Sequence, residues 1–325
     1  MRYAHCLPRR RDAFTLIELL VVMVLILVIA ALGLGYIVFG QDNQHSVNGA
    51  QAITGALLNA KQRARRDGLP TGVRIIFTSG TDVKGNPFNF GTQLQLIQEP
   101  GSYNAGTWKT GTGTNTTTDS LGFTNVDFLG GAAYAGEIDE STVQAGDYFV
   151  AGGTTTPHRI NLVIDATHLR LDSAASPAPG GPGSSYNIYR APRRLPSEDV
   201  IQMPSNIVID NSPVPGGNPP TYCQNIPTRT LTDGKTSSQV SEIVFAPSGA
   251  VTGQGTGADK VYLWLRDSSL KLRPVAGSPA PGAPLILSVQ IRTGLIGVYP
   301  VAPWVVGSST SDPYAYVKDP RSSGL

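Results

Sequence analysis

The stretch Phe14-Thr-Leu-Ile-Glu18-Leu-Leu-Val-Val-Met-Val-Leu-Ile-Leu-Val-Ile-Ala-Ala-Leu32 stays apolar as far as Phe39 and holds a single carboxylate, Glu18. About 20 apolar residues cross a bilayer as a helix, so residues 14–39 suffice to span one with some tilt. The run is too long for the core of a signal peptide. A carboxylate at the entrance of a membrane helix is costly unless it is paired, which makes Glu18 a functional candidate whose partner is a positive charge inside the membrane. The plainer alternative sets Glu18 at the headgroup level of an ordinary anchor. Arg2, Arg9, Arg10 and Arg11 precede the run. Positive charge on that side holds the N-terminus in the cytoplasm and exports the bulk of the chain.

A short basic leader, the small Ala13, then Phe14-Thr15-Leu16-Ile17-Glu18 with an apolar run behind it resembles the type III signal of prepilins and pseudopilins. The resemblance implies that a membrane peptidase cuts between Ala13 and Phe14 on the cytoplasmic side and methylates the new amine of Phe14. The helix stays attached. Where the family usually has glycine, this chain has Ala13. Thr15 and Glu18 then belong to assembly. In a fibre the Glu18 carboxylate meets the Phe14 amine of a neighbouring subunit, removing two unpaired charges from an apolar interior.

The 325 residues are 40% hydrophobic and 15% charged, with 37 Gly and 25 Pro, which suits one sizeable β-rich core carrying many loops. The formal net charge is +2, but four arginines and Asp12 make residues 1–13 +3, so the remainder stands at −1. Of the two cysteines, Cys6 lies in the leader and Cys223 is left alone, which excludes an intramolecular disulfide after processing.

Past Phe39 the pattern turns amphipathic, with Val47, Ala50, Ile53, Leu57, Ala60 and Ala64 spaced by three and four. Lys61, Arg63, Arg65 and Arg66 crowd the last turns, complementing the helix dipole, and Asp67-Gly68-Leu69-Pro70 supplies a cap and a stop. The pattern predicts one helix from Phe14 to about Asp67, whose second half must pack on a globular domain. Gly33, Gly35 and Gly40 inside it mark either a segment that bends during assembly or close helix packing. Strand-type runs follow at 73–77, 93–97, 159–164, 207–209, 242–245, 261–265, 285–289 and 295–299, several of them alternating as half-buried antiparallel strands do. Two polar inserts, at about 100–146 and 173–220, read as surface loops. Residues 307–325 lack periodicity and read as a flexible tail.

Ala56-Leu-Leu-Asn-Ala-Lys-Gln-Arg-Ala-Arg-Arg-Asp-Gly-Leu-Pro-Thr-Gly-Val-Arg-Ile76 resembles the helix end and first strand of GspH/FimT-type minor pseudopilins. Ile243-Val-Phe-Ala-Pro-Ser-Gly-Ala250, with the runs at 261–265 and 285–289, is similar to that family's closing strands.

No catalytic constellation emerges. His45, His158 and His168 join no second histidine or cysteine at metal-ligand spacing. Glu137, Asp139, Glu140 and Asp147 form the densest acidic group, but their spacing matches no defined calcium loop, so a solvated acidic loop is expected. Asp82-Val-Lys-Gly-Asn-Pro-Phe88 reads as an Asn-Pro turn. A nucleic-acid interface needs basic residues gathered on one face. Here Arg292 stands alone in the late strands, and Arg190, Arg193 and Arg194 sit in a Pro-rich loop.

The expected fold is α+β and pilin-like: a long N-terminal membrane-spanning helix packed on an antiparallel β-sheet domain. The segments are a cleaved leader (1–13), a transmembrane helix (14–39), its amphipathic continuation (40–68), a β-rich domain (69–306) and the tail. The expected function is a structural subunit, a minor pseudopilin of a type II secretion or type IV pilus filament, and not an enzyme. Its partners are then prepilin peptidase, sibling subunits and the inner-membrane assembly platform, with no cofactor, metal or small-molecule substrate and nucleic acid disfavoured. It sits single-pass in the bacterial inner membrane, N-terminus cytoplasmic and C-terminal domain periplasmic. The alternatives are a DNA-uptake minor pilin and a membrane-tethered binding module that never polymerises.

Overall fold

The structure is a computed structural model describing residues 16–81, 85–103, 116–118, 123–127, 139, 141–151, 155–172, 186–204, 206–226, 228–232, 237–252, 258–268, 275–280 and 282–319. Ala13, Phe14 and Thr15 lie outside the described residues, as do Glu137 and Glu140. The first element, α1 (Leu16–Asp67), is a single helix of 52 residues, about 78 Å long. It ends where Gly68 takes φ 68° and donates its N–H to the Ala64 carbonyl at 3.1 Å, a left-handed cap that a side chain would disfavour.

Ala50, Ile53, Leu57, Ala60 and Ala64 form the buried stripe of α1. Val47, expected on the same stripe, is exposed instead. At that level the buried residue is Ser46, and one residue further the helix has turned by about 100°. The alanines let the helix lie close to the sheet. At Gly49 the approach is closest, since an added Cβ would come within 2.5 Å of the Ile207 Cγ2.

Among the described residues the strands are β1 (Thr71–Thr81), β2 (Pro87–Gln98), β3 (Thr116–Thr118), β4 (Thr124–Asp127), β5 (Tyr148–Ala151), β6 (His158–Asp165), β7 (His168–Leu171), β8 (Tyr186–Tyr189) and β9 (Arg193–Arg194). They continue with β10 (Ile201–Gln202), β11 (Ile207–Asp210), β12 (Thr228–Thr232), β13 (Ser237–Phe245), β14 (Val251–Thr252), β15 (Lys260–Asp267), β16 (Leu285–Gln290) and β17 (Ile296–Pro300), before a closing turn of helix, α2 (Ala315–Lys318). The eight strand-type runs fall in β1, β2, β6, β11, β13, β15, β16 and β17.

The large sheet is ordered β12-β13-β1-β2-β11-β15-β16-β17, with β9 and β10 beside β2 and β14 beside β13; its pairings are antiparallel. Its apolar face and α1 share one core, in which Tyr222, Trp264 and Trp304 pack with ring centroids 5.2–6.4 Å apart. The result is an α+β arrangement of a helix on a large antiparallel sheet.

Two expectations are corrected. The inserts at 100–146 and 173–220 are not loops alone. They contribute β3, β4 and β8 to a second sheet, ordered β3-β4-β7-β6-β5-β8, and, besides the expected strand β11, they add β9 and β10 to the large one. The second sheet has its own core of Val126, Phe149, Ile160, Leu171, Tyr186 and Ile188. The stretch from Gly307 is not a free tail over its described part, because Tyr314 and Val317 are buried and the Tyr314 hydroxyl donates to the Tyr222 carbonyl at 2.6 Å. A single helical turn anchored by one aromatic ring is too short to show periodicity.

Candidate functional site on the N-terminal helix

The two halves of α1 differ in what covers them. From Ala50 onward one face lies in the core. From Leu16 to Ala30 every side chain is exposed, the large apolar ones from 50% at Val21 to 84% at Leu16. A helix apolar on all sides belongs inside a large core or a membrane, and among the described residues nothing covers it. Glu18 lies in the first turn, where negative charge suits the positive end of the helix dipole. The side chains described in this half end at Ala30, about 22 Å of helix, whereas the apolar sequence continues to Phe39. Among the described residues, no helix is long and apolar enough to cross a membrane.

The far end of α1 is pinned by its basic residues. Lys61 Nζ donates to the carbonyls of Thr293 and Gly294 at 2.9 and 2.8 Å, and burial, then Arg65, lower its pKa. Arg63 pairs with Glu198, and Arg66 with Asp67 at 2.7 Å. Lys61 and Arg63 thus hold distant segments as well as complementing the dipole.

The other sequence candidates disperse. His45 is exposed on α1. His158 is buried, and desolvation lowers its pKa. His168 Nδ1 lies 2.7 Å from Asp165 Oδ1, and hydrogen bonds from Thr167, then from His168, hold the Asp165 carboxyl at about 2. Asp139 accepts from Ser141 and Thr142 in a turn. Asp147, expected in a solvated acidic loop, is buried instead, because the backbone N–H groups of Gln144 and Ala191 and Nη2 of Arg193 donate to its carboxylate at 2.8–2.9 Å. Among the described residues no group of three His, Cys, Asp or Glu could hold a metal ion. The loop arginines are committed inside the molecule: Arg190 to the Gly101 carbonyl, Arg193 to Asp147, Arg194 to the Glu198 carbonyl.

Residues 8–34 match the family model of the prokaryotic N-terminal methylation motif. The chain carries the hallmark of prepilin-type proteins. No curated protein matches the chain. For a prepilin-type chain the motif implies processing by prepilin peptidase, assembly with other pilin-type subunits and association with the membrane, a structural role rather than a catalytic one. The match covers Arg9, Arg10 and Arg11, Glu18 and the exposed apolar turns of α1 together. Sequence reasoning singled out Asp147 but set it in a solvated loop, and it missed the buried pair of Asp210 and Arg266, which lie 56 residues apart in the chain.

Proposed function

We propose that the protein is a structural subunit, a minor pseudopilin of the GspH/FimT type, in a filament of a type II secretion or type IV pilus system. The observation that carries this reading is an apolar half-helix, exposed among the described residues, that lies within the matched methylation motif. Cleavage falls between Ala13 and Phe14, and the new amine of Phe14 is methylated. Residues 14–39 cross the inner membrane once, leaving the sheets in the periplasm until the helix is drawn into the filament. There Glu18 pairs with the amine of a neighbour, beside Thr15. The minor role follows from bulk, since a second sheet beside the first would crowd a tightly packed shaft.

The test is to express the full chain with its own membrane peptidase and read the N-terminus by intact mass and peptide sequencing. A chain starting at methylated Phe14 supports the pathway; one still carrying Arg9, Arg10 and Arg11 overturns it in favour of a plain membrane anchor. Glu18→Ala is expected to abolish incorporation into filaments while leaving the melting of the sheets unchanged. Normal incorporation would remove Glu18 from the assembly mechanism.

A further inference from the structure

A cavity of about 470 Å³ opens between the start of β2, from Asn86 to Phe90, and the segment after β11. Phe88 and Phe90, stacked with centroids 5.0 Å apart, form part of its apolar lining with Val214. Tyr222 and the Asp210–Arg266 pair also line it. All three are more than nine-tenths buried, with Tyr222 2% and Asp210 0% exposed.

The polar groups here are asymmetrically satisfied. Arg266 Nε donates to Asp210 Oδ2 at 2.5 Å and Nη1 to the Asp267 carbonyl at 2.8 Å, while its guanidinium lies over Phe90 at 5.1 Å. Among the described residues Nη2 has no hydrogen-bond partner. The other oxygen of Asp210 accepts from the Ser212 N–H at 2.8 Å. Among the described residues the Tyr222 hydroxyl has no partner, and burial, then Asp210, raise its pKa, so it stays a protonated donor. A buried hydroxyl without a partner carries a penalty that proteins rarely leave uncompensated. Two donors are thus left over, and both want an oxygen acceptor. Because Asp210 already cancels the charge of Arg266, an incoming carboxylate would bring an uncompensated negative charge into an apolar cavity, whereas a neutral carbonyl would not.

We propose that this cavity binds a neutral, apolar peptide segment, its carbonyl oxygen accepting from Tyr222 and Arg266 and its side chain lying against Phe88 and Phe90. The site is independent of the helix-mediated assembly proposed above. The probe is N-acetyl-phenylalaninamide, titrated by equilibrium dialysis against the full chain in phosphatidylcholine nanodiscs, with empty nanodiscs as the blank. Saturable binding is expected, and N-acetyl-phenylalanine, its anionic counterpart, is expected to bind more weakly. Tyr222→Phe keeps the ring and deletes the orphan hydroxyl, so it should weaken the amide about threefold to tenfold while leaving the thermal midpoint of the ligand-free protein unchanged or raised. Three results would overturn the proposal: no saturable binding to the wild type, equal affinity in Tyr222→Phe, or tighter binding of the anion than of the amide.

Discussion

Glu99 shows how a single carboxyl tunes this domain. It is half buried near Glu242, and desolvation, then that neighbour's charge, raise its pKa above the usual 4.5. Folding therefore tightens its hold on a proton. Its contribution to stability is largest at acid pH and is lost as pH rises from the ordinary glutamate value through the raised one. Glu99→Gln should stabilise the protein at neutral pH and remove that part of the pH dependence, read as urea midpoints across the carboxylate range. An unchanged midpoint at neutral pH would show that solvent screens the site. Cys223 gives a second prediction. Its thiol is buried, donates to the Asp210 carbonyl at 3.2 Å, and burial raises its pKa. Iodoacetamide is expected to leave it unmodified in the folded protein and to label it fully in denaturant. At this scale the sequence offers a candidate where chemistry is contiguous: Glu18 draws notice because Arg9, Arg10, Arg11 and the apolar run stand beside it. Tyr222 and Arg266 come from separate segments, and nothing local in either says that they share a cavity.

The same contrast holds among the elements. The stripe of α1 and the long strands of the large sheet were readable because their periodicity repeats several times within one segment. The second sheet was not, since β3, β4, β5 and β8 are three or four residues long and lie among glycines, prolines and threonines. Part of their pairing is non-local as well: Tyr148 faces Tyr189 across β5 and β8. For α1, Leu57→Ala removes a side chain that is 1% exposed and should destabilise the domain by about 2–5 kcal/mol in chemical denaturation. Gly49→Ala, with the conflict at Ile207, should also destabilise despite the better helix propensity of alanine. A gain in stability there would show that the helix can back away from β11.

Across the whole molecule, the two sheets are tied by a few buried polar contacts. Asp147 stands just before β5 of the small sheet and takes hydrogen bonds from Ala191 and from Arg193, whose strand β9 pairs with β2 of the large one. Arg74 on β1 pairs with Glu242 at 2.6 Å and reaches the Pro192 carbonyl at 2.7 Å, reinforcing the same joint. Asp147→Ala would strand the N–H groups of Gln144 and Ala191 and the charge of Arg193. Amide exchange at Phe149, Ile160 and Ile188 should then quicken while Ile75 and Leu94 stay protected, because the cores are separate. Equal loosening of both sheets would mean that they unfold as one unit.

The continuity of α1 also has a mechanical consequence. One rod carries the apolar half-helix at one end and, at the other, Ile53, Leu57, Ala60 and Ala64 seated in the core. A pull along its axis loads the whole buried stripe in shear, together with the Lys61 clamp on Thr293 and Gly294, instead of peeling contacts away one at a time. Tension applied at Leu16 is therefore shared along the interface, and the helix and the sheet it supports should travel as one body until the interface fails in a single step.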